Sequence, residues 1–282
     1  MLEAALARLD VEGLQVSFVN LSLEAAIAEA GVSRASAYRR WPSRSAFLAD
    51  VLRAAAHPRL EPESEEQLAE LLDVVASLRG TAATEQGRRD LVVEALRRAS
   101  DADIRRLLAS QSWRNALVLA ATQQSLEEGE LRRSVSAALE RAERALTEAR
   151  AGIYSHLPAI MGYRLVPPLE GDEGLRIMSS AAGVTMRGIL LRAHGEAEWL
   201  DRRTTMSPFG SSLAAPWSEP ELHLVRTFLA HLEPDPSIVW DEARVDGAFA
   251  LLAERTAAAR RGTTAGMPPA WAASRGAGWS PS

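Results

Sequence analysis

The residues best suited to chemistry lie between 30 and 49, where Arg34, Arg39, Arg40 and Arg44 occur without a single Asp or Glu among them. Arginine carries a fixed positive charge and a planar fork of N–H donors, which fits both phosphate and the O6/N7 edge of guanine. All 32 basic residues of the chain are arginine, and the formal net charge is −5, so a purely basic segment stands out against an acidic background. That balance excludes a protein that coats nucleic acid over its whole surface, but it allows a local patch that neutralises phosphates. Beside Arg34 stand Ser33, Ala35 and Ser36, small enough to let a helix approach the floor of a groove.

Other constellations of reactive residues are weaker. His57, His156, His194, His223 and His231 are scattered; His223 and His231 share a helical spacing, but a metal centre needs more convergent ligands. There is no cysteine, hence no disulfide framework and no thiolate chemistry. Gly210-Ser211-Ser212 lacks the strand-turn-helix setting of a nucleophile elbow or phosphate loop. The chain is expected to be no enzyme and to carry no cofactor and no metal.

The basic stretch must be positioned by helices. Leu2, Ala5, Leu6 and Leu9 repeat at the spacing of one helical face, which Gly13 ends. Ser22 is placed as an N-cap for a helix that buries Leu23, Ala26, Ile27 and Ala30. Gly31 breaks that helix, and Ser33 caps a short third one running to about Tyr38. Pro42-Ser43 opens a fourth over residues 44–55, with Phe47, Leu48, Val51 and Leu52 inward. Two short helices meeting at a glycine turn form a helix-turn-helix. Ala26, Ala30 and Ala37 let the pair cross closely, and Val32, Tyr38 and Trp41 are expected to close the core beneath.

At Ala30–Arg44, AGVSRASAYRRWPSR, and the apolar run that follows from Ala46, the chain resembles the TetR family of bacterial transcriptional regulators. The likeness covers roughly the first 55 residues. It implies that the segment from Ser33 to Tyr38 is a recognition helix, that Ser22, Tyr38 and Arg44 touch phosphates, and that Arg34, Ala35 and Ser36 face bases. Ser33 and Arg39 complete the expected contact set. The connection from Gly13 to Leu23 is longer than the family's.

The expected fold class is all-α, with an N-terminal three-helix helix-turn-helix domain over residues 1–57. A larger helical ligand-binding and dimerisation domain follows over 58–261, and a disordered tail over 262–282. In the larger domain the periodicity predicts separate helices over 64–79, 85–98, 102–108, 113–127, 131–155, 172–194, 219–232 and 239–260. Two of the connections stand out, over 158–171 and 201–220. Family likeness implies a cavity for an unknown small-molecule effector. Trp113, Asn115, Gln123, Tyr154, Met161, Met178 and Met186 are the candidate linings. One recognition helix reads too few bases alone, so the expected partner is double-stranded DNA with a palindromic operator, bound by a homodimer. Small residues at Ala181-Ala182-Gly183 and Gly188 would let residues 172–194, with 219–232, build a four-helix interface about a two-fold axis.

Apolar residues at 47% and charged residues at 24% are the composition of a folded soluble chain. No stretch suggests a membrane span or a signal peptide. The expected location is the cytoplasm, on the nucleoid when bound. The reading is a ligand-responsive repressor. Its alternatives are a helix-turn-helix regulator or activator with no effector, or a helical-domain enzyme or carrier with a vestigial DNA-binding fold.

Overall fold

The computed structural model describes residues 1–12, 22–58, 76–155 and 157–260. Among these the chain is mostly helical. The order is α1 (Leu2–Glu12), α2 (Leu23–Ala30), α3 (Arg34–Arg40), α4 (Arg44–Ala55), α5 (Glu85–Ala109), α6 (Gln111–Thr122), α7 (Glu130–Tyr154) and α8 (Leu157–Ile160). Then come β1 (Tyr163–Leu165), α9 (Gly171–Gly195), α10 (Glu198–Asp201), β2 (Arg203–Met206), β3 (Ala215–Ser218), α11 (Glu219–Leu229), β4 (Leu232–Pro234) and α12 (Glu242–Arg260). The tail over 262–282 and most of the helix expected over 64–79 lie outside the described residues. The helices expected over 85–98 and 102–108 are one, α5, because the intervening Ala99, Ser100 and Asp101 include neither glycine nor proline to break it.

The described residues fall into two compact units, one drawn from Met1–Glu61 and Leu107–Arg144, the other from Pro62–Arg106 and Ala145–Ser282. The first unit is thus discontinuous in sequence. Its core forms because α4 places Phe47, Val51, Leu52 and Ala55 on one face, and the first three are completely buried. Leu23, Ala26 and Ile27 of α2, Ala37 of α3, and Ala5 of α1 pack into the same cluster. Leu119 of α6 and Val135 and Ala138 of α7 complete it. These last residues join the N-terminal helices instead of the larger body expected from sequence.

In the second unit α9 packs along α11, and two short antiparallel ladders flank them. β1 pairs with β4 through Arg164 opposite Glu233; β2 pairs with β3 through Thr204 opposite Trp217. Both ladders fall in or beside stretches that read as plain connection. Strands of three and four residues with Pro216 and Pro234 in them leave no alternating pattern to detect. Each ladder has only two strands, so each proline N can face away from its partner strand.

Charges in this unit are buried in pairs. Arg97 forks onto Glu94 at 2.7 and 2.6 Å and faces Glu221 at 3.6 Å. Arg203 links Glu221 and Asp101, each at 2.9 Å, and fully buried Glu221 also accepts the Ser218 N–H as a capping box. A charge removed from water needs a partner of opposite sign and filled hydrogen bonds, and this cluster supplies both. Burial pushes the Glu94 carboxyl up, but hydrogen bonds from Arg97 and Arg98 outweigh it and hold it below the usual range. Burial likewise opposes ionisation of Asp90, and hydrogen bonds from Ser212, Gln86 and Ser211 reverse the balance.

Candidate nucleic-acid interface

Serine caps and one glycine shape the basic segment. Ser22 Oγ accepts from the Ala25 N–H at 3.3 Å and starts α2. Gly31 ends it in the left-handed region, φ 61°, where a side chain would be strained. Ser33 Oγ accepts from the Ser36 N–H at 3.2 Å and donates to Ser36 Oγ at 3.0 Å, starting α3. Ser43 Oγ repeats the cap at the Ala46 N–H, 3.2 Å away, and starts α4. Three helices therefore begin within about 20 residues, each start set by a serine side chain the local sequence provides, and the turn between the first two by Gly31.

Ala37 and Trp41 turn α3 inward, at 2% and 9% exposure. Trp41 meets Phe47 edge-on with ring centroids 5.3 Å apart, and its indole N–H donates to Asp50 Oδ2 at 2.8 Å. Asp50 also takes Arg53 at 2.8 Å and faces Arg40 at 3.6 Å, while the Arg40 guanidinium lies 5.7 Å from the Trp41 ring. Arg40 is thus bound up with the junction beneath α3. With that side held, Ser22, Ser33, Arg34, Ala35, Ser36, Tyr38, Arg39 and Arg44 all stand exposed.

Two expectations are corrected at this surface. Val32 and Tyr38 do not close the core; they are 38% and 44% exposed. The reason for Tyr38 is a partner that linear reading overlooked. Glu24, at the start of α2, accepts the Tyr38 hydroxyl at Oε1 (2.8 Å) and pairs with Arg34 Nη2 at Oε2 (2.9 Å). The hydrogen bond to Glu24 and its negative charge hold the Tyr38 phenol above its ordinary pKa. The stretch from 30 to 49 is free of acid in sequence, but the fold returns one to it from α2.

The seven residues expected to line an effector cavity belong to different units. Trp113, Asn115 and Gln123 lie in the first unit; Tyr154, Met161, Met178 and Met186 lie in the second. Asn115 Oδ1 accepts from Gln111 at 3.1 Å, and Gln123 Oε1 accepts from Ser136 at 2.9 Å. Tyr154 packs edge-on against Phe228 at 5.2 Å, Met161 joins the cluster of Ala82, Leu91 and Val245, and Met178 and Met186 are buried on α9. A groove of about 380 Å³ in the second unit is lined by Ala159, Ile160, Ala243, Arg244, Gly247, Ala248 and Leu251, and by none of the seven. Its rim is apolar except for Arg244, which donates to the Ala159 carbonyl at 2.9 Å.

Histidines serve local structure. The Nδ1 atoms of His57, His194 and His231 lie within 3.1, 2.6 and 2.7 Å of carbonyls four residues back, and His223 lies beside Glu219. His156 lies outside the described residues. Among the described residues no three His, Cys, Asp or Glu side chains converge as metal ligands. Nor is any helix among them long and apolar enough to cross a membrane. No family model, curated protein or solved structure matches the chain.

Proposed function

We propose that the chain is a sequence-specific transcriptional regulator of the TetR type, in which α2 and α3 form a helix-turn-helix and α3 enters the major groove of duplex DNA. One observation carries this reading. The short helix α3 rests on Ala37 and Trp41 and turns Arg34, Ala35, Ser36, Tyr38 and Arg39 to solvent, with Arg44 beyond it. Arg34 would read guanine, Ala35 and Ser36 would allow close approach, Arg39 and Arg44 would meet phosphates, and Tyr38 would do so only once Glu24 gives up its hydroxyl. The likeness of Ala30–Arg44 to the family adds to that reading from the residues alone.

A homodimer on a palindrome follows from the same physics, because one such helix covers too short a site. Support comes from α9, where Ile177, Val184 and Leu191 are 43%, 60% and 51% exposed at seven-residue spacing. Of the small residues expected at this seam, Ala182 and Gly183 are instead buried within the unit, whereas Gly188, with Ser180, lies exposed on the side of the stripe and leaves room for a close helix crossing. An apolar stripe of this kind is covered most economically by its own copy.

A repressor that releases DNA on binding an effector needs a ligand with unequal affinity for its two states. The second reading, a regulator with no small-molecule effector, is favoured by the engagement of several expected linings within their own units: Asn115 and Gln123 have side-chain partners, and Met178 and Met186 are buried on α9. Selection of bound sequences by the full chain from a random duplex pool tests the function. Enrichment of an inverted repeat is expected. A pool that stays random at low salt would refute the reading.

A further inference from the structure

We infer that Glu24 is a specificity-determining residue of this interface: its carboxylate occupies Arg34 and Tyr38, so that bare phosphate backbone is a poor partner and a correctly presented base edge a better one. The inference rests on the DNA-binding reading above. Both oxygens of Glu24 are engaged, Oε1 by the Tyr38 hydroxyl and Oε2 by Arg34. A tyrosine hydroxyl has one proton, and while it is donated to Glu24 it cannot be donated to a phosphate. Arg34 keeps the rest of its fork outward, since its side chain is 76% exposed, but its charge is compensated.

Those two facts weigh differently on the two kinds of contact. Phosphate attraction depends on net charge and on released counterions, so an arginine beside a carboxylate loses much of it. A bidentate contact to guanine depends on the direction of two N–H bonds, which the neighbouring carboxylate fixes without consuming. Glu24 also repels phosphates directly, being 46% exposed beside α3. An ion pair this exposed is weak, so it turns Arg34 outward without holding it back from a base edge. The carboxylate therefore penalises sequence-independent binding more than base readout.

The test compares the full wild-type chain with Glu24→Ala and Glu24→Gln by fluorescence anisotropy. One duplex is the sequence recovered by selection and the other is an unrelated sequence of the same length, each titrated from about 50 to 300 mM salt. Glu24→Ala should bind the unrelated duplex about 5-fold more tightly and steepen its log–log salt slope by about 1, with a smaller gain on the selected duplex. Glu24→Gln keeps an acceptor for Tyr38 without the charge, and should show most of the slope change. Helix content and melting temperature of both variants should match wild type, since the residue is exposed. Unchanged slopes, or equal weakening on both duplexes, would overturn the inference and leave Glu24 a scaffold for Arg34. A wild-type chain that binds neither duplex would overturn the DNA-binding reading as well.

Discussion

Replacing Val184 with arginine should split the proposed dimer. Val184 sits midway along the apolar stripe of α9, seven residues from both Ile177 and Leu191, and is itself 60% exposed in the single chain. Burying a large aliphatic side chain fully is worth about 1.5–3 kcal/mol, so a half-exposed one has about 1 kcal/mol still to gain. Three such residues in each of two copies give an apolar contribution of about 6 kcal/mol to association, roughly four powers of ten in the dissociation constant. Val184→Arg removes two of these contributions at the centre and brings two like charges together out of water, which costs several kcal/mol more. The dimer should weaken by at least about 100-fold. Sedimentation velocity over a range of micromolar concentrations reads this directly, with circular dichroism as a control for folding. A variant that sediments like wild type would refute this interface, and a wild-type chain that stays monomeric at micromolar concentration would refute the dimer.

Other outcomes follow from the two cores and the paired carboxylates. Phe47→Ala empties a fully buried position against Trp41 and should cost about 3–5 kcal/mol of stability in denaturant unfolding, with DNA binding lost in parallel. Asp90 and Glu94 have folded pKa values held below their ordinary range, so their contribution is fully present above the unfolded carboxylate pKa and lost as pH falls through the folded one. Stability measured by chemical denaturation should therefore hold from neutral pH down to about 5 and fall below about 4. A fall beginning near pH 6 would contradict that assignment, because neither carboxylate titrates there.

Helices, caps and the turn of the first 57 residues were legible in the chain because each signal is local. Ser22, Ser33 and Ser43 precede their helices, Gly31 follows one, and the apolar spacing of Phe47, Val51 and Leu52 marks a buried face. What was not legible is what depends on contacts far apart in sequence. Glu24 reaches Arg34 and Tyr38 only once α2 and α3 have crossed, and counting charges along the chain separates them. Leu119, Val135 and Ala138 have the periodicity of any helical core, and nothing local indicates that they pack with the N-terminal helices. The hairpin of β2 and β3 is hidden by its prolines, and Arg203 and Glu221, which anchor it, look like ordinary surface charges until the fold pairs them and buries Glu221. Trp113, Met178 and Met186 are buried core residues, and core and pocket draw on the same residue types, so composition alone does not tell the two apart.

The most direct measurement is the affinity of the full chain and its Arg34→Ala variant for the duplex recovered by selection, at fixed salt near 100 mM, with an unrelated duplex alongside. Arg34 is expected to carry base readout, so its removal should weaken the selected duplex by about 10- to 100-fold and the unrelated one far less. Equal affinity of the variant for the selected duplex, or no binding by the wild type at low salt, would contradict the placement of this surface in the groove.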